Sequence, residues 1–334
     1  MEKLKAKTIR VSRGFTYRYY SFPAKNGLPS VLLLHGFPDS ACLWSEFIND
    51  HLLPAGYGVI ALDCLGFGDS DKPADTGAYS FQGMANDVTE ILDAESLSRV
   101  VSLGHDWGSV LAQRVYNFHA DRVCGLVMVN VAYNALKNRP FDVDRHIRAV
   151  EHFLGYGAGW YWKDLVSDDA PEILNNHLES FWTLCHGAPE TWRETKCKPG
   201  GVKKYLLENK VQPTQAYATE SRKKEWIERL SRDGIEGPLQ WYLSHVSGVQ
   251  HEAEKRIPKE NQSVRVPTLY IGGTKDLVAP PALILPSVQA GLLPHVKIIH
   301  LDAGHWSMLS QPDHFGECVI GWLKEQFSPD GAKL

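Results

Sequence analysis

Residues 102–113, SLGHDWGSVLAQ, constrain what this chain can fold into more than any other stretch. A short apolar strand runs into Gly104, His105, Asp106, Trp107 and Gly108, and a helix-forming run follows. Small residues on both sides let the backbone turn so sharply that the middle side chain stands clear of the sheet, the geometry of a nucleophile elbow. Serine is the usual occupant, and here the position holds Asp106. A carboxylate is ionised at neutral pH and needs no base to become a nucleophile. Serine attacks acyl carbon, whereas an aspartate is suited to a saturated carbon with a strained or good leaving group, and leaves an alkyl ester on the protein. Epoxides and alkyl halides are the two evident electrophiles. The competing role for Asp106 is to cap the helix that opens at Trp107, a position aspartate favours. Its partners must decide.

The pattern around this turn alternates strand and helix. Residues 15–22 alternate aromatic and polar, as in a half-buried antiparallel edge strand. Residues 31–34 are a continuous apolar run, as expected of a buried parallel strand; 59–62, 100–103 and 123–131 read as further strands, and 81–92 is amphipathic. A doubly wound, mostly parallel sheet with helices on both faces follows. The alternation stops near Tyr133. From there to about Ile257 the chain reads as helices interrupted by Gly and Pro, and six of its ten tryptophans fall in it (Trp160, Trp162, Trp182, Trp192, Trp226, Trp241). Strand signals resume at 268–271 and 297–301, and an amphipathic helix over 313–327 closes the chain. The expected division is therefore a first core part at 1–133, an inserted helical cap at 134–257 and a second core part at 258–334.

Composition narrows the partners. A net charge of -4 supplies no basic field for a polyanion, so nucleic acid is not expected. No apolar run is long enough to cross a bilayer, and MEKLKAK at the N-terminus has no apolar stretch behind it. Six cysteines lie scattered without a CxxC pair, which fits reduced thiols in the cytoplasm. Ala332, Lys333 and Leu334 resemble a peroxisomal address, with a frayed tail as the alternative. Cys185 and His186 could begin a metal site, but no second ligand pair follows at finger spacing. No metal or cofactor is expected. The assembly state is open, a homodimer included.

Each resumed strand ends in a candidate partner for Asp106. Asp276 follows 268–271 and His305 follows 297–301, so nucleophile, acid and histidine stand in the order of a hydrolytic triad. Asn130 stands where another acid could have been and cannot hold an imidazolium by charge, and Asp302 is a fallback that braces its own loop. His300, His251 and His314 look structural. His35, Gly36, Phe37 and Pro38 follow an early strand, where a loop can offer a backbone N-H to an oxyanion, the other coming from Trp107; a plain turn is the alternative. Gly66 to Pro73, GFGDSDKP, lacks the third glycine of a dinucleotide site and reads as a tight loop beside the pocket. Opening an epoxide makes an alkoxide far more basic than phenolate, so a tyrosine with a pKa near ~10 can give it a proton. Tyr242 in GPLQWY sits one turn into a Gly-Pro helix start, and a second tyrosine lies in GWYW at Tyr161, with Tyr156 nearby. Both could equally be packing aromatic faces.

HGFP, GHDWG, GPLQWY, GTKDLVAP and AGHW together resemble the soluble epoxide hydrolases, members of the α/β-hydrolase superfamily with an aspartate nucleophile. The likeness runs over 15–327. It implies the α/β-hydrolase fold with an inserted cap, and opening of a small apolar epoxide by water to a vicinal diol. It further implies Asp106 as nucleophile, His305 as base, Asp276 as its orienting acid, and Tyr161 and Tyr242 as proton donors. Phe37 and Trp107 would form the oxyanion hole, and His35, Pro38, Trp107, Trp160 and Trp241 would contact substrate. Two alternatives remain: a haloalkane dehalogenase with the same nucleophile, or a ligand receptor with a vestigial site.

Overall fold

The computed structural model describes residues 1–327; Ala332, Lys333 and Leu334 lie outside the described residues. Eight strands form one sheet: β1 (Lys5–Arg10), β2 (Thr16–Phe22), β3 (Ser30–Leu34), β4 (Gly58–Leu62), β5 (Val100–His105), β6 (Val123–Val129), β7 (Thr268–Gly273) and β8 (Val296–Leu301). Their order is β1-β2-β4-β3-β5-β6-β7-β8. The β1/β2 and β2/β4 pairs are antiparallel and the rest are parallel. Strands β3, β4, β5 and β7 are buried along their whole length, as continuous apolar runs between two helical layers must be.

The edge of the sheet differs from the expectation. Residues 16–22 do alternate between half-buried and buried, but the edge of the sheet is β1, which the sequence reading left out. Its residues KAKTIR are mostly exposed and basic. Charge on an edge strand discourages pairing with another chain, and that same charge hides the strand from a search for apolar runs. At the far edge, β8 is only partly covered, and Ile298 faces solvent.

Helix α1 (Phe81–Ala94) is capped by Ser80, whose hydroxyl accepts from the Gly83 N-H, and it buries Phe81, Met84, Val88, Ile91 and Leu92 at helical spacing. Helix α2 (Trp107–Phe118) follows β5 through the turn at Asp106 and is almost wholly buried. Between β6 and β7 the chain is helical apart from turns and the isolated bridge of Gly187 with Thr214. The helices that matter here are α3 (Val143–Leu154), α4 (Tyr161–Leu165), α5 (Leu178–His186), α6 (Glu220–Asp233), α7 (Glu236–Val246) and α8 (Val249–Glu254), with α9 (Pro312–Phe327) closing the fold. Among the described residues no helix is long and apolar enough to cross a membrane.

The helical segment is bonded to loops of the sheet layer. Trp241 donates its indole N-H to the Leu65 carbonyl at 2.8 Å, and Thr76 bonds Gln240 at 2.6 Å. Gln250 accepts from the Phe81 N-H and donates to the Tyr79 carbonyl, both at 2.8 Å. The GFGDSDKP loop is therefore a seat for α7: Gly66 packs against the backbone of Gly237. It lines no part of the cavities at Asp106.

Candidate active site

Asp106 sits at the carboxyl end of β5 with φ 53° and ψ -123°, a conformation that a residue with a side chain rarely adopts. The turn is possible because the backbone crowds both flanking glycines. A Cβ on Gly104 would stand 2.0 Å from the Gly108 carbonyl oxygen, and one on Gly108 would stand 2.1 Å from that of Leu34. The Asp106 side chain makes no capping bond to α2. Instead its Oδ1 accepts from the Phe37 N-H at 2.9 Å. Trp107 N-H opens the helix and, like other first-turn N-H groups, has no acceptor within it. So one carboxylate oxygen is held by the Phe37 N-H and the other is left free of backbone donors.

The free oxygen faces His305. His305 Nε2 lies 3.4 Å from Asp106 Oδ2, and Nδ1 lies 2.7 Å from Asp276 Oδ2. Asp276 is fixed from every side: its Oδ1 accepts from the N-H groups of Val278 and Ala279, both at 3.0 Å, and Asn130 donates to its Oδ2 at 2.8 Å. Asn130, set aside in the sequence as a failed acid, is therefore a support for the acid actually present. His105 Nε2 bonds the His305 carbonyl at 2.8 Å, tying the histidine loop to the elbow strand.

These contacts set the charges. Burial opposes the ionised form of Asp276, but the His305 imidazole and the three donors outweigh it and hold the carboxyl down at about 2. Burial likewise opposes a charged His305, and the carboxylates of Asp276 and Asp106 overcome it, raising the imidazole to about 9. Asp106 is lowered against its own burial, chiefly by His305. At neutral pH the resting trio is thus carboxylate, imidazolium, carboxylate.

Tyr161 at the start of α4 and Tyr242 in α7 line the recess that contains Asp106 and His305. Their rings meet edge to face at 6.2 Å. Burial, and then nearby phenol or carboxylate groups, push both hydroxyls well above the usual tyrosine value, so both remain protonated donors. Tyr242 is held in place by the rings of Phe37, Trp107 and Trp162, at 5.2, 5.0 and 5.0 Å. Tyr156 lies elsewhere: its hydroxyl donates to the Leu277 carbonyl at 3.0 Å, under Arg193.

Two cavities meet at Asp106, Tyr161 and Val278. The inner recess, about 30 Å³, adds Phe37, Pro38, Tyr242, Lys196 and His305. It has room for little more than a water or a small group. The outer chamber, about 500 Å³, is walled mainly by apolar and aromatic residues including Trp107, Val110, Phe141, Trp162 and Leu283.

Of the residues expected to contact substrate, Pro38 and Trp107 line these cavities and three do not. His35 is fully buried behind the wall, its Nδ1 on the Gly36 carbonyl at 2.9 Å and its Nε2 accepting from the Cys64 N-H at 3.0 Å. Trp241 packs against Phe67 and Phe81 with its N-H spent on Leu65. Trp160 precedes α4 and lies beneath the Lys163 ammonium, so Trp162 lines the chamber in its place. Trp162 stands inside GWYW, where Trp160 was the expected contact, and Phe181, His245 and Lys196 carried no motif that could have singled them out. Asp302 is exposed and pairs with Lys275 at 2.9 Å. His300 and His314 are exposed, and neither they nor His251 line the recess. His186 packs between Trp182 and Trp306. Among the described residues no group of three or more His, Cys, Asp or Glu stands at metal-holding distance.

Comparison with known proteins agrees with this architecture. A family model described as the alpha/beta hydrolase fold matches residues 29–312. Bifunctional epoxide hydrolase 2 of Sus scrofa is 25% identical over 300 residues, covering 89% of this chain and 51% of that protein. The chain thus spans about half the length of the first curated relatives it matches. Epoxide hydrolase A of Mycobacterium tuberculosis is 26% identical over 303 residues, covering 89% of this chain and 91% of that protein. A solved structure described as an epoxide hydrolase from an endophytic Streptomyces superposes with a TM-score of 0.78 at 23% identity, covering 97% of this chain and 96% of that one. With an elbow between β5 and α2, a parallel central sheet and a family match over most of its length, the chain belongs to the alpha/beta hydrolase fold family.

Proposed function

We propose that the protein is an epoxide hydrolase that converts a small, largely apolar epoxide and water to a vicinal diol. The observation that carries this reading is the Asp106 carboxylate in one recess with two protonated phenols, Tyr161 and Tyr242, and with His305 at 3.4 Å. The names of the relatives support it. In this reading residues 134–257 act as a cap that brings both phenols over the nucleophile.

The reaction follows from which oxygen is free. Oδ1 is held by the Phe37 N-H, so Oδ2 attacks one ring carbon from the side opposite the departing oxygen. Tyr161 and Tyr242 hydrogen-bond that oxygen and one gives it a proton, leaving a phenolate and a hydroxyalkyl ester on Asp106; the proton of the resting His305 imidazolium then restores the phenol and leaves a neutral imidazole. Oδ1 then becomes the ester carbonyl oxygen, already seated at the Phe37 N-H with Trp107 N-H beside it. His305, oriented by Asp276, takes a proton from water, and the hydroxide equivalent adds to the ester carbon. Those N-H donors stabilise the tetrahedral oxyanion, each worth about 3 to 4 kcal/mol. Collapse breaks the bond to the diol oxygen, which takes the proton from His305, and the new Asp106 carboxyl passes its proton to the imidazole, restoring carboxylate and imidazolium.

A dehalogenase reading uses the same nucleophile but needs N-H donors for halide and has no use for paired phenols. Tyr242→Phe separates the two. Steady-state assays should show diol formation reduced by roughly two orders of magnitude. Undiminished turnover would remove the reason for preferring epoxides. A receptor reading leaves the charge pairing of Asp276, His305 and Asp106 without a purpose.

A further inference from the structure

Lys196 lines the inner recess together with Asp106, Tyr161, Tyr242 and His305, and the chemistry above gives it no task. Its position is fixed. The Lys196 carbonyl accepts from the Tyr161 N-H at 2.9 Å, which ties the lysine backbone to the start of the helix that carries one phenol. The ammonium lies 3.4 Å from the Trp192 ring centroid and 5.8 Å from that of Trp306. Neighbouring lysines behave differently: Lys163 pairs with Asp144, Lys198 with Glu194 and Lys203 with Asp169. Among the described residues, none makes a hydrogen bond or ion pair with the Lys196 ammonium.

Lys196 is half-buried, its ammonium shielded by two tryptophan faces and without a counter-ion on the side that meets the recess, an arrangement those faces compensate only in part. Burial lowers the Lys196 pKa, and Cys185, Asp276 and Asp106 counter that only in part. An anion arriving with the substrate would end the deficit. It would also need this cation, because an acid group entering beside the Asp106 carboxylate meets repulsion. The recess limits the size of that group, at about 30 Å³, while the outer chamber beyond Asp106 and Tyr161 has about 500 Å³ for an apolar arm.

Building on the epoxide reading, we propose that Lys196 is a specificity-determining residue that pairs with a carboxylate carried on or next to the oxirane ring. The preferred substrate is then a short epoxy acid, its acid arm in the recess and its apolar arm in the outer chamber.

The test compares trans-3-phenylglycidate with its neutral amide, using styrene oxide as a reference, on the full chain, Lys196→Met and Lys196→Arg. The wild type should favour the acid over the amide in kcat/KM by about tenfold or more, as a charge-assisted bond would give. In Lys196→Met that ratio should fall to about one or below, and Lys196→Arg should keep most of it. If Lys196→Met does not fold, the wild-type ratio and the arginine variant decide. Equal rates on acid and amide in the wild type, or an unchanged ratio in Lys196→Met, would overturn the assignment. So would opening of styrene oxide with the acid refused, which leaves the Asp106 chemistry standing. Failure on all three epoxides would instead overturn the epoxide reading and this inference with it.

Discussion

Asp106 and His305 set each other's charge, and in the proposed mechanism that coupling gives the cycle its direction. In the resting protein both carboxylates hold the imidazole at about 9, so at neutral pH His305 is protonated and is no base. In the proposed mechanism alkylation turns Asp106 into a neutral ester. One of the two charges that raised His305 is gone, its pKa falls, and the imidazole can accept a proton when water is the next reactant. The pH dependence therefore has a sign: ester hydrolysis should speed up with rising pH, with a midpoint below about 9. Free His305 should titrate at the higher value. Single-turnover stopped-flow measurements across pH check this, and a hydrolysis midpoint at or above the titration of the resting imidazole would contradict it. At this scale the sequence was informative where a residue stood beside glycine or at the end of an apolar run, as Asp106, Asp276 and His305 do. It was silent on Lys196 and could not choose Trp162 over Trp160, because places at the cavity arise from contacts between distant stretches of chain.

The element that positions Asp106, the proposed nucleophile, is the tight β5-α2 turn, and its tolerance is small. Gly104→Ala would put a methyl group against the Gly108 backbone, which no side-chain rotamer can relieve. Urea unfolding should show a loss of about 2 kcal/mol or more, typical of overpacking. An unchanged midpoint would mean that the turn is looser than described. The strands around it were legible because burial on both faces leaves long apolar runs, as in β3, β4 and β5. Strand β1 was not, since an edge exposed to water keeps a charged sequence. The order of helices between β6 and β7 was readable only as a helical tract, because which face of each helix meets the sheet layer depends on the partner across the interface.

For the whole molecule the question is how the helical segment stays registered over the sheet. Arg114, fully buried in α2, donates to Glu254 at the end of α8 at 2.6 Å and to the Asn134 carbonyl at 2.9 Å. One side chain thus clasps both ends of the segment to the helix that begins at the nucleophile. Arg114→Ala leaves Glu254 without its partner and should cost about 3 to 5 kcal/mol, read as a lowered melting temperature by calorimetry. Retained stability would show that the clasp is redundant. The central claim is that Asp106 becomes covalently bonded to substrate before water releases it. One turnover in heavy-oxygen water, with protein in excess over styrene oxide, tests that most directly. The first diol should carry unlabelled oxygen taken from Asp106, with label appearing in that carboxylate. Label entering the first diol directly, with Asp106 unlabelled, would contradict it.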